Sequence, residues 1–434
     1  MFGLGSACGA LWRMREWVFV SLLVFALNLV LSGVAGAEPL RVLLVGYSGE
    51  LLSYLNDEVA PAFYEEYGIE VEITAAGWGD RTDRILLGEA SGMPFDVVTT
   101  GSHSPTSEGG RGILLSLDRY IDEWDKKDLF PPAVWKGLQF RNQTYAVPMD
   151  NDNRAMAWNK GLFAESGLDP NEPPGSWDEL LTAVRALTRV DAQGEVVQRG
   201  VWLASDTTGA LQDFLWFLAQ RGFDPIDYES YVSFFNRPEA FHTLSYLDEI
   251  MTATLWDAPG PNGPGGFVER AVAMTRHQPV HFRSIALNYP ELLEEYGLFS
   301  PRYLPHTAPV SLGFTNGLGI TASSRRPDDA WKFITFLHRD DILRKIEELG
   351  SFISGRIDVA YDRIAEVPAL QYWYDSFMHM QLHEIPVSGI HATVGGWITG
   401  VYRKEMDPGA ALENAHRFIE TGLREFRQEV GLEP

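Results

Sequence analysis

The sequence has 434 residues, and the first 37 read as a removable leader, so 397 form the working chain. That is more than one hydrophobic core comfortably serves and suits two domains. Hydrophobic residues at 45% and aromatics at 12% suffice for such cores and exclude a wholly disordered chain. The formal net charge is −24, and −25 once Arg13, Arg15 and Glu16 leave with the leader. Such a chain repels phosphate backbones and anionic lipid, which sets aside nucleic-acid and peripheral-membrane roles. Cys8, the single cysteine, lies inside the leader, so disulfides, thiolate chemistry and Cys-liganded zinc are excluded from the mature chain.

In chain order, Arg13 and Arg15 precede an apolar run from Val18 to Leu31, and Ala35-Gly36-Ala37 supplies a small-x-small cleavage pattern. This predicts a secretory signal cleaved before Glu38. No cysteine follows that could carry a lipid, so the expected product is an unanchored protein of an exported compartment, most naturally a periplasm. No later segment reads as a membrane span. Leu40 to Val45 is apolar and predicts a buried strand. Leu52, Leu55, Val59 and Phe63 then recur at helical spacing until Gly68. Ile69, Val71 and Ile73 alternate with polar residues as a second strand, and Phe95 to Thr99 predicts a third. The rhythm of strand and helix implies an α/β fold with a helix-covered parallel sheet, whose ligands sit beyond the carboxyl ends of the strands. The loops 46–49, 76–80 and 100–104 are therefore the ones to watch.

Further on, Gln143 to Pro148 predicts a strand ended by Met149, and Asp150 to Arg154 a polar crossing into a second lobe. Ser176-Trp177-Asp178-Glu179 is a capping box for a helix that turns Leu180, Leu181, Val184 and Leu187 inward. Pro259 to Gly266 predicts a surface loop. Asp329 to Leu337 and Pro408 to Phe426 predict amphipathic helices, the second capped by Asp407.

Among chemistry-bearing groups, the crossing is the most informative. Asp150, Asp152, Asn153 and Arg154 bring carboxylate, amide and guanidinium groups together between apolar flanks, a set suited to hydrogen-bonding a polyol. Trp78 stands in a Gly77-Trp78-Gly79-Asp80 loop where no core packing is expected, so it can offer a ring to the C–H face of a sugar, with Asp80 beside it. His277 with His281, and His379 with His383 and Glu384, lack the His-Glu-x-x-His pattern and read as core or surface residues rather than metal ligands. No nucleophile elbow and no phosphate-binding glycine loop appears. No metal, no cofactor and no catalytic residue is assigned, and the chain is read as a non-enzyme.

Four segments in order carry a resemblance. Tyr67-Gly68-Ile69-Glu70-Val71 with Ser91 to Val98 comes first; Asn142 to Lys160 with Leu162-Phe163, Gly167-Leu168 and Pro173 to Leu180 follows. Glu269 to Pro279 and then Gly317 to Ile320 with Arg326 to Leu337 complete it. On these the chain resembles the bacterial extracellular solute-binding proteins of the maltodextrin-binding type (family 1), the receptors of sugar ABC importers, over essentially its mature length. The resemblance implies a two-lobed periplasmic-binding-protein fold (type II, Venus flytrap), each lobe a mostly parallel sheet covered by helices. It implies an N-terminal lobe of 38–150 and 317–360, a C-terminal lobe of 151–316 and 361–434, and hinge crossings near 150–154, 312–317 and 354–368. The cleft positions it implies are Tyr47, Ser48, Ser102, His103, Asp152, His281, Arg283 and His391, to which Asn316 in the second crossing is added. The partners it implies are a small carbohydrate and the ABC permease subunits, with the receptor a monomer. Val280 stands where maltodextrin receptors often have Trp, and His391 where a late helix often has an aromatic ring, which favours a smaller saccharide over a long glucan.

Two rival readings differ in class. A periplasmic hydrolase or lyase would use Asp80 and Asp152. A receptor for a charged ligand would use Arg154 and Arg283 for a phosphosugar, or its acidic surface for a polyamine.

Overall fold

The computed structural model describes residues 38–47, 49–101, 104–203, 206–350, 353–367, 370–378, 380–381 and 385–432. The leader call, 1–37, lies outside the described residues.

The apolar run Leu40–Val45 forms the predicted strand, buried on both faces. The helical spacing after it resolves into Gly49–Tyr54, one π turn Leu55–Val59 and Ala60–Tyr67. Gly68, at φ 66°, closes it in the left-handed conformation that a side chain disfavours. Strands Val71–Ala76 and Val97–Gly101 both run parallel to Leu40–Val45. Beyond them the sheet changes direction. Ser311–Ile320 lies antiparallel to Val97–Gly101, Val147–Asn153 antiparallel to Ser311–Ile320, and Ile353–Ser354 antiparallel to Val147–Asn153.

The α/β class holds, and the first sheet is mixed rather than mostly parallel. Its later strands arrive from the far half of the molecule instead of through a strand–helix–strand crossover, so no right-handed crossover fixes their direction. The second sheet departs further. Met274–His277, Ala155–Asn159 and Tyr296–Phe299 pair antiparallel, and only the bridges Arg199↔Val272 and Trp202↔Thr275 are parallel.

A second correction concerns the crossing. Met149 does not end a strand, for Val147–Asn153 continues through the polar residues. The register slips between Asn316 and Gly317, which face Asp150 and Pro148, so Met149 is an extra residue. A bulge of this kind twists a strand and re-aims its side chains.

Helix starts follow local chemistry. Ser176 Oγ accepts from Glu179 N (3.3 Å), while the Glu179 carboxylate reaches Gly175 N at 2.6 Å, one residue before the cap. Asp407 Oδ1 accepts from Ala410 N at 3.1 Å. The predicted loop 259–266 instead opens a short helix, Gly263–Val268, with Gly266 close against Val272. The largest core takes Leu43 and Val98 from the first sheet together with Met156 and Trp158 from the second, and two smaller cores lie beside it. Leu40, Phe63, Leu318 and Phe333 share one, while Ala155, Ala157, Phe267 and Phe282 share another.

Candidate functional site

Two strands floor the space between the sheets. Asp150 pairs with Asn316 and Asp152 with Phe314 across the ladder. Successive side chains on a strand point to opposite faces, so these four share one face while Asn151, Asn153 and Thr315 point away. The bonds agree. Asn153 Nδ2 donates to Trp373 O (2.8 Å) and Ser376 Oγ (2.6 Å), and Thr315 Oγ1 to Asn151 Oδ1 at 3.1 Å.

A cavity of about 320 Å³ lies on the Asp150 face and is bordered by Trp78, Asp150, Asp152, Asn316 and, from the other side, Gln278 and Val280. Its neighbour, about 310 Å³, is bordered by Glu108, Arg111, Gln212, Phe314 and His391. Together they place groups from both halves of the chain around one cleft.

Trp78 belongs to a 3-10 turn, Trp78–Asp80, at the carboxyl end of Val71–Ala76, and 43% of its surface is exposed. Gly101 leaves room for the indole, and Gly46 stands at ordinary contact distance from it. A Cβ at Gly101 would sit 3.1 Å from Trp78 Cη2 and 3.0 Å from Asn316 Oδ1, and one at Gly46 would sit 3.6 Å from Trp78 Nε1.

The two carboxylates differ in their surroundings. Asp150 is buried, accepts from Asn316 Nδ2 at 2.8 Å, and has its pKa pushed up to about 7, first by burial and then by the charge of Asp152, against the amide bond. Asp152 is clamped: Gln278 Nε2 donates to both its oxygens (3.1 and 3.0 Å) and Arg154 Nη1 stands 2.7 Å from Oδ1. Arg154 lies 5.3 Å over the Phe314 ring, with burial drawing its pKa down. Behind it Arg276 pairs with the fully buried Asp213 at 2.8 Å.

Gln278 caps the helix Pro279–Asn288: its side-chain oxygen accepts from the His281 backbone N–H, which orients the amide that holds Asp152, while His281 Nδ1 accepts from Gln278 N at 3.0 Å. Burial pushes His281 down to about 4, Arg154 and Arg276 adding to that and Asp152 opposing it, so the ring is neutral near pH 7. His277 Nδ1 meets the Tyr296 hydroxyl at 3.0 Å, and burial drives its pKa well below the usual imidazole value.

Of the sequence candidates, the structure brings Trp78, Asp150, Asp152 and Asn316 to one cavity and His391 to its neighbour. Tyr47 is buried close enough to Asp150 for that carboxylate to help burial raise its pKa. His281 acts through Gln278. Arg283 Nη1 donates to Leu349 O at 2.6 Å, tying its helix to the helix Asp340–Gly350 of the opposite lobe. Asp80 is exposed and borders neither cavity, because the turn that presents Trp78 carries it outward. Asn153 points away from the cleft. Ser48, Ser102 and His103 lie outside the described residues. Gln278, Glu108 and Phe314 were missed. Phe314 was within reach, since it sits two residues from Asn316 on one strand.

No helix among the described residues is long and apolar enough to cross a membrane, and no group of three or more metal-ligating side chains occurs among them.

Known proteins share the fold and part of the sequence. The family model described as "Bacterial extracellular solute-binding protein" matches residues 47–341. Binding proteins of Brucella abortus (strain 2308) and Brucella suis biovar 1 (strain 1330) are each 23% identical over 357 residues, covering 78% of this chain and 81% of theirs. Among solved structures, an ABC transporter solute-binding protein from Thermotoga lettingae bound with α-D-tagatose superposes with a TM-score of 0.73 at 22% identity, covering 89% of this chain and all of that one. One from Agrobacterium radiobacter K84 in complex with ribitol gives 0.71 at 18%, covering 88% and all. The protein CpMnBP1 with mannotriose gives 0.75 at 18%, covering 88% and all. With the family model matching well over half its length, this two-lobed chain belongs to the bacterial extracellular solute-binding proteins.

Proposed function

We propose that this chain is the extracytoplasmic receptor of an ABC importer, and that it binds a neutral carbohydrate or polyol between its lobes and presents it to the membrane permease. In this reading the lobes are 38–150 with 317–360 and 151–316 with 361–434, and the hinge crossings lie near 150–154, 312–317 and 354–368. One observation carries the reading. The 320 Å³ cavity joins an exposed indole to carboxyl and amide groups supplied from both halves of the chain. An indole face takes the C–H side of a pyranose or furanose, while Asp150, Asp152, Asn316 and Gln278 can each accept or donate to ring hydroxyls. The volume is at the small end of ligand sites, which suits one or two sugar units rather than a long glucan. Proteins of the same fold solved with tagatose, ribitol and mannotriose support the ligand class.

Binding selects a closed arrangement in which ligand hydroxyls bridge the lobes, and no covalent step is required. Contacts such as Arg283 to Leu349 would be remade each time the cleft closes. Calorimetric titration of the mature chain with monosaccharides, disaccharides and alditols tests this. Heat from a neutral sugar or polyol, lost in Trp78→Ala, is expected. Heat from phosphosugars or polyamines alone, fading at moderate salt, would replace the neutral ligand with a charged one. Turnover of a glycoside that stops in Asp152→Asn would replace the receptor with an enzyme.

A further inference from the structure

A large cavity lies away from the cleft. It measures about 920 Å³ and is walled by Tyr361, Tyr372, Tyr374, Phe299 and the prolines 173, 174 and 309, with Ser300, Ser311, Ser376, Arg302 and Asp375 among them. Three observations define it. Its aromatic surface is continuous, the Tyr361 and Tyr374 rings standing 5.2 Å apart at 45°. Its polar atoms are mostly hydroxyls, with Ser300 Oγ and the Tyr372 hydroxyl 3.0 Å apart, and its two charged side chains, Arg302 and Asp375, cancel.

The third observation is its place. Tyr374 belongs to the cluster of Phe130, Val134 and Ala360 beside the first sheet, whereas its neighbour Trp373 belongs to that of Ala155, Ala157 and Phe282 in the second. The cavity is thus lined by the C-terminal lobe, and one of its walls, Tyr374, packs with Phe130 and Val134 of the N-terminal lobe. It also touches the back of the strands that floor the cleft. Ser376 Oγ accepts from Asn153 Nδ2 at 2.6 Å, and Ser311 Oγ donates to Arg154 O at 2.7 Å. Asp152 faces the cleft, while Asn153, one residue on along the same strand, bonds Ser376 in the wall of this cavity.

We propose that this rear cavity is a second ligand site, that it takes a neutral phenolic molecule, and that its occupancy shifts the hinge between open and closed forms. A flat ring stacks on the tyrosines, its hydroxyl joins the serine and tyrosine hydroxyls, and absence of net charge matches the Arg302–Asp375 balance. Because Tyr374 lines the cavity and also packs with Phe130 and Val134 of the N-terminal lobe, a bound molecule that holds its ring favours one hinge angle, and by linkage it changes affinity in the cleft by the same factor that a cleft ligand changes its own. The coupling rests on the receptor reading above; the site itself does not.

The test uses 4-methylumbelliferone, a fluorescent phenol, at pH 6 where it is neutral. Saturable binding of one molecule per chain is expected, about tenfold weaker in Tyr361→Ala, about threefold weaker in Tyr372→Phe, and unchanged in Trp78→Ala. Tyr372→Phe deletes only a hydroxyl, so it serves should Tyr361→Ala fail to fold. No saturation, or equal binding in both variants, overturns the site. Since the mature chain has no cysteine, spin labels at Asp57→Cys and Ala192→Cys report the distance between lobes directly. A shift of that distance on adding the phenol is expected. Binding without a shift overturns the coupling and leaves the cleft untouched, while failure of every sugar in calorimetry overturns the receptor reading and leaves the phenol site standing.

Discussion

Asp150 and Asp152 stand two residues apart on one strand and face one cavity, yet the protein treats them in opposite ways. Asp150 sits on the floor against an amide, with burial holding its proton up to about pH 7. Asp152 stands at the rim between a guanidinium and a second amide. The floor thus offers a carboxyl that can be donor or acceptor near neutrality, and the rim an oriented acceptor. A pair of like residues becomes two different tools through their neighbours alone.

The comparison can be broken most strongly at the rim. Arg154→Ala removes the clamp and leaves Asp152 beside the buried Arg276–Asp213 pair without its nearest cation; a loss of about 3 kcal/mol in urea unfolding is expected. Asp150→Asn probes the floor. A carboxyl that holds its proton to about 7 when folded, against 3.8 when free, makes the folded state bind more protons between those values, so stability falls as pH rises from about 4 to about 7. The variant should flatten that fall by about 1–2 kcal/mol between pH 5 and 7 relative to the parent. Glu347, also raised to about 7 by burial, contributes the same sign to both proteins and drops out of the difference. Trp78→Ala should weaken sugar binding about tenfold in calorimetry while stability changes by less than about 0.5 kcal/mol, because the indole is half exposed. Asp80→Asn should alter neither affinity nor melting, and an effect as large as that at Asp152 would return Asp80 to the site.

Local signals were legible wherever chemistry between near neighbours decides the outcome. The apolar run of Leu40–Val45, the left-handed stop at Gly68 and the caps at Ser176 and Asp407 appear as read, since each depends on residues a few positions apart. The polar stretch at 150–153 was not legible as strand. Its polar side chains bond Ile353, Trp373, Asn316 and Gln278, far away in sequence, so alternation between two polar faces left no apolar period to count. Gln278 was missed for a similar reason, because a helix cap becomes a cleft residue only when its helix is set opposite Asp152.

By itself, the sequence determined the α/β class, the absence of cysteine after Cys8 and the family resemblance, and it put Trp78, Asp150, Asp152 and Asn316, which border one cavity, on a short list. Composition, periodicity and motif order are local or additive properties, and they survive being read along a line. Tertiary structure alone decided the mixed strand directions, the outward turn of Asp80, the clamp on Asp152 and the rear cavity behind the cleft. Each depends on which distant segments meet and at what angle, and that is set by the packing of whole sheets and helices rather than by any neighbour in the chain.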